Sequence, residues 1–141
     1  MSRSARVLEA LTSGVFVALL APLIAATIFT LKLVAWPQSG ADRIDPSVTS
    51  LLLLALGVAS AAYFLGGFPA FAAGLVLPTL RRKLPSVVAA LATGCVAVVV
   101  YLATFGSHLL GLSDPIAAVL PNTVPAFLGA TVAAYLFARK H

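Results

Sequence analysis

Apolar residues in this chain do not recur at the spacing of a water-facing helix or strand; they fill long blocks that contain no charge at all. Ala10 to Leu31, Pro46 to Leu80, Leu84 to Ser113 and Pro115 to Ala138 hold no Asp, Glu, Lys or Arg. A helix needs about 20 apolar residues to cross about 30 Å of hydrocarbon. The pattern predicts an all-α integral membrane bundle of four transmembrane helices in one domain, over residues 8–34, 47–80, 85–108 and 123–138.

Polar residues and prolines punctuate these blocks. Arg3 and Arg6 precede the first, and Lys32, Trp36 and Pro37 close it, Trp36 suiting an interface belt and Lys32 able to snorkel outward. The N-terminal run is longer than a signal-peptide core of about 7–15 residues and has Glu9 in front of it, so it reads as an uncleaved first helix. Asp45-Pro46-Ser47 has the form of a helix start, with Asp45 as N-cap and Pro46 at the first helical position. Leu84-Pro85-Ser86 opens helix three in the same way. Asp114-Pro115 repeats the signature ahead of a short apolar piece, Ile116 to Leu120, after which Asn122 or Thr123 caps helix four with Pro125 in its first turn.

The second block decides the topology. Ser47 to Leu80 would span about 50 Å as straight helix, at about 1.5 Å per residue. That exceeds one perpendicular crossing. A turn at Gly66-Gly67 would leave a second segment too short to cross, so the reading is one long helix, broken or kinked near Gly66, Gly67 and Pro69. Arg81, Arg82 and Lys83 then fall on the same side as Arg3, Arg6, Arg139 and Lys140, while Asp42, Asp45 and Asp114 fall on the other. By the positive-inside rule both termini are cytoplasmic.

Composition agrees with lipid as the solvent: of 141 residues, 61% are hydrophobic and 9% charged, against about 25% charged in ordinary soluble domains. The net charge of +5 sits at block ends instead of on one solvated stripe, which excludes nucleic acid as a partner and leaves the bilayer. Cys95 has no partner in the chain, so there is neither an intrachain disulfide nor a thiol metal site.

Small residues four apart recur, among them Gly14 and Ala18, Ala70 and Gly74, Ala90 and Gly94, and Gly129 and Ala133. In lipid, close approach through small residues is how helices associate, so Gly14, Gly74, Gly94 and Gly129 are candidate packing positions. Two stretches echo each other: Pro69-Ala70-Phe71 recurs as Pro125-Ala126-Phe127, and Ala10-Leu11-Thr12-Ser13-Gly14 resembles Ala90-Leu91-Ala92-Thr93-Gly94. Both map helix one onto three and two onto four, as in a parallel repeat of two hairpins.

Candidates for chemistry are few. Glu9, Lys32 and His108 lie near helix ends, which argues against a proton-coupled pump or a charge-ringed channel. His108 is the one plausible haem or pigment ligand, since His141 is terminal. No metal spacing, Ser-His-Asp set or phosphate-cradling loop is present, so no enzyme and no resident cofactor are expected. Gly66-x-x-Pro69-Ala70-x-x-x-Gly74 followed by Arg81-Arg82 resembles a loose class of uncharacterised small bacterial inner-membrane proteins with a Gly-x-x-Pro-Ala pattern in helix two. The resemblance implies a bacterial inner membrane and no particular activity. The expectation is a non-enzymatic accessory or structural subunit, packing against a larger membrane complex or itself. The alternative is a small homo-oligomeric transporter or channel using the broken helix two, and the third reading is pigment or haem attachment through His108.

Overall fold

In the computed structural model, the described residues are 2–35, 47–110 and 115–140, and they form four helices: α1 (Arg3–Ala35), α2 (Val48–Arg81), α3 (Ser86–Leu110) and α4 (Pro115–Lys140). Of these, α1 over Arg3–Lys32, α2 over Val48–Arg81 and α3 over Ser86–Phe105 are long and apolar enough to cross a membrane. The apolar part of α4 among the described residues, Thr123–Arg139, is shorter.

The helix starts follow local hydrogen bonding. Ser2 Oγ accepts from the Ala5 amide, so α1 begins at Arg3 and not near Leu8. Ser47 is the N-cap of α2, its Oγ accepting from the Ser50 amide at 3.3 Å. The cap expected at Asp45, with Pro46 first in the helix, is therefore displaced; both residues lie outside the described part. Helix four also starts earlier than residue 123. It is continuous from Pro115, so the start signature expected for a separate short piece begins the whole helix, and Pro121 and Pro125 fall inside it. At membrane depth an interrupted segment would leave backbone groups without partners, whereas a helix satisfies most of them even across prolines.

α2 is one element. It stays helical through Gly66, Gly67 and Pro69 to Arg81, with Pro69 and Pro78 both inside. Leu80 O then accepts from the amides of Lys83 and Leu84 at 3.0 and 2.8 Å, and the chain turns at once into α3.

Each helix packs beside its neighbours in the order α1, α2, α3, α4 and back to α1; α2 and α4 also touch across one diagonal, while α1 and α3 do not meet among the described residues. The core is built of small side chains, with Ala21, Ala70, Ala73, Ala97, Ala130 and Ala133 buried and Val17 and Leu77 the largest fully buried apolar side chains. Large apolar side chains point outward instead, Phe64 at 84% and Leu53 at 66% exposed. An alanine interior under a leucine and phenylalanine exterior inverts the arrangement water would drive and suits helices in contact with lipid. Four hydroxyls are satisfied within their own helix, as suits a lipid environment: Thr12, Thr27, Ser60 and Thr104 each donate to the carbonyl four residues back, at 2.7–2.8 Å.

Candidate functional site

The basic clusters meet at one end of the bundle. Arg82 at the C-cap of α2 donates to Glu9 Oε2 on α1 at 2.7 Å, and Phe16 packs on Phe137 of α4 with ring centroids 5.4 Å apart. Arg3, Arg6, Arg81, Lys83 and Arg139 therefore share an end with the Glu9–Arg82 pair. That pairing is not legible from spacing, because the two residues are 73 positions apart.

Above this end the helices approach through backbone. A methyl group on Gly74 would stand 2.7 Å from Gly14 Cα and 2.8 Å from Ser13 O, so α1 and α2 touch main chain to main chain there. Ser13 is fully buried, and its single hydroxyl proton points to the Gly74 carbonyl, 2.5 Å away, with the Ala10 carbonyl a second, longer acceptor at 3.0 Å. In a regular helix the Gly74 carbonyl would take the amide of residue 78, but that residue is Pro78 and has no N–H. A hydroxyl from α1 supplies the missing donor. Gly129 of α4 sits on the Ala21 carbonyl of α1 in the same intimate fashion, and Gly94 of α3 sits against Thr131 and the Phe127 ring of α4. Gly66 and Gly67, by contrast, face open space within 4 Å of their missing methyl groups.

The echoing stretches occupy matching places. Gly14 on α1 lies under the Phe71 ring of α2, and Gly94 on α3 lies under the Phe127 ring of α4, a substituent reaching 3.0 Å in either case. Buried positions match too: Ser13, Gly14, Val17 and Ala21 against Thr93, Gly94, Ala97 and Tyr101, and Pro69, Ala73, Gly74 and Leu77 against Pro125, Gly129, Ala130 and Ala133. The offsets are 93 − 13 = 80 and 125 − 69 = 56, so the first hairpin is 24 residues longer between matching points.

One cavity of about 210 Å³ is lined by all four helices. Pro22 of α1, Pro69 of α2 and Pro125 of α4 border it, together with Gly66, Ala21 and Tyr101 of α3. Pro69 is 82 − 69 = 13 residues from Arg82, so the cavity begins about 20 Å from the basic end at about 1.5 Å per residue. Among the described lining residues Tyr101 alone has a polar side chain; it is 7% exposed, packs on Phe105 with the rings tilted at 46° and centroids 5.4 Å apart, and makes no side-chain hydrogen bond among the described residues. Sequence reasoning passed over Tyr101 because a tyrosine within an apolar block carries no spacing signal.

Other candidates stand apart. His108 falls in α3, but its side chain lies outside the described residues. Cys95 is exposed on the outer face of α3, and among the described residues no cluster of His, Cys, Asp and Glu is arranged to hold a metal ion. Comparison with protein-family models, curated proteins and solved structures finds no match.

Proposed function

We infer that this is a multi-pass integral membrane protein in which all four helices cross a bacterial inner membrane, with the basic end and both chain ends on the cytoplasmic side. The positive-inside rule supports the orientation, since the Arg and Lys clusters gather at one end. The 26 residues of α4 reach about 39 Å at about 1.5 Å each, enough to cross beside α1 and α3. We read α2 as kinked at Pro69, where the Leu65 carbonyl loses its amide partner, and the two hairpins as a parallel repeat, for which the matched Gly14–Phe71 and Gly94–Phe127 contacts speak.

Within that setting the chain acts without catalysis, as an accessory or structural subunit packed against a larger membrane complex or copies of itself. The observation that carries this reading is the outer half of α2: from Val48 to Phe68 no residue is buried, and Leu52, Leu53, Leu56, Phe64 and Phe68 stand outward on a helix whose inner half is locked to α1. A long apolar face on a rigid support suits a partner helix as well as lipid. The test is gentle extraction from native membranes and mass measurement of the intact assembly, with an absorbance spectrum on the same peak. Co-elution with other chains or a defined homo-oligomer is expected. A lone monomer would sink the reading, and visible absorbance lost in His108→Ala would replace it with pigment attachment.

A further inference from the structure

The cavity among the three prolines has a chemical character independent of whether the chain works as a subunit. Among the described residues its wall is alanine, glycine, proline and other apolar side chains with a single hydroxyl, that of Tyr101. A charged guest would lose its hydration against this wall, where no charged side chain among the described residues replaces it. A purely hydrocarbon guest would cover the Tyr101 hydroxyl, which makes no hydrogen bond among the described residues, without giving it a partner. Covering a donor without a partner costs free energy, and the described lining side chains supply no acceptor.

The size narrows the class further. An apolar cavity of about 150 Å³ stays dry and takes up benzene, so about 210 Å³ has room for one six-membered ring with a few substituent atoms. The matched positions in the hairpins explain why the space exists: where α3 carries Tyr101, α1 carries Ala21, so a ring forms one wall and a methyl group leaves the other side open. Tyr101 and Phe29 offer faces for an aromatic guest to pack against. The lining runs outward to Ala61 and to Leu65, 39% exposed, on the apolar flank of α2, which gives entry from the bilayer.

We propose that this cavity binds a neutral, bilayer-dissolved ring compound bearing a carbonyl oxygen, a quinone-type head group, with the Tyr101 hydroxyl donating to that carbonyl. Binding is non-covalent, and the ring displaces lipid rather than water.

The test uses the full chain in lipid nanodiscs, labelled on alanine methyl groups and titrated with a benzoquinone carrying a short alkyl chain. Saturable chemical-shift changes are expected at the lining methyls of Ala25, Ala62 and Ala97, with little change at Ala89 and Ala133, which are buried elsewhere. Tyr101→Phe removes only the hydroxyl and should weaken quinone binding roughly tenfold while leaving an alkylbenzene of the same chain length unaffected. Ala97→Leu fills the space and should abolish the shifts. The proposal is overturned if the wild-type lining shows no saturable change, or if Tyr101→Phe binds the quinone as tightly as wild type. Either result leaves the assembly measurement untouched, so failure of this site and failure of the subunit reading are separable.

Discussion

Ser13 of α1 gives its hydroxyl proton to the Gly74 carbonyl of α2, the same carbonyl that Pro78 is chemically unable to serve. Ser13→Ala should therefore cost about 1–2 kcal/mol, because a buried acceptor loses its donor where no water can replace it. The pairing is checked by a double-mutant cycle with Pro78→Ala, which restores an amide to α2. If the hydroxyl compensates for the proline, the cost of Ser13→Ala shrinks in the Pro78→Ala background. Equal costs in both backgrounds would show that the two residues are uncoupled.

Two glycine substitutions should diverge in sign. Gly74→Ala drives a methyl into the backbone of Gly14 and Ser13, at 2.7 and 2.8 Å, and neither chain can yield without separating α1 from α2. A loss of about 2 kcal/mol or more is expected, in the range for overpacking a filled interior. Gly67→Ala meets nothing within 4 Å and removes a helix-weakening residue, so it should be neutral or stabilising by up to about 1 kcal/mol. Steric-trap or denaturant titration of both variants in the same detergent decides the matter; similar losses for both would contradict the packing described.

Thr131 Oγ1 is buried without a hydrogen-bond partner among the described residues, against Gly94. Thr131→Val keeps the shape and removes the orphaned hydroxyl, so thermal stability should hold or rise. A drop of more than about 1 kcal/mol would mean that the hydroxyl is bonded in the membrane-embedded protein.

The Glu9–Arg82 pair, with side chains 31% and 44% exposed, should behave as an interface ion pair. Glu9→Gln should change stability by less than about 1 kcal/mol, and by less still in high salt. A large, salt-independent loss in the same assay would assign the pair a buried structural role.

Gly74 and Gly67 also show how far the chain could be read without coordinates. Both are glycines in one apolar block, and small-residue spacing marked Gly14, Gly74, Gly94 and Gly129 as contact candidates because only residues lacking bulk let backbones meet. The neighbour opposite each was not legible: that Gly74 faces Gly14, and Gly129 the Ala21 carbonyl, depends on the register between helices. Helix starts were misread at Asp45 and Thr123: near Asp45 two polar residues can each act as a cap and only the hydrogen bond formed, by Ser47, chooses between them, while helix four continues unbroken from Pro115 across Pro121 and Pro125.

By itself the sequence determined that the chain makes long apolar helices, since uncharged blocks of this length satisfy their backbone only by closing it internally, and that the basic residues gather between the blocks. Tertiary structure alone decided the rest. The Ser13 hydroxyl meeting the carbonyl released by Pro78, the Glu9–Arg82 pair, and the cavity that joins Pro22, Pro69, Pro125 and Tyr101 all bring together residues far apart in the chain. Their encounter is set by helix register and rotation, and those depend on how side chains interlock across helices, which no pattern along a single helix encodes.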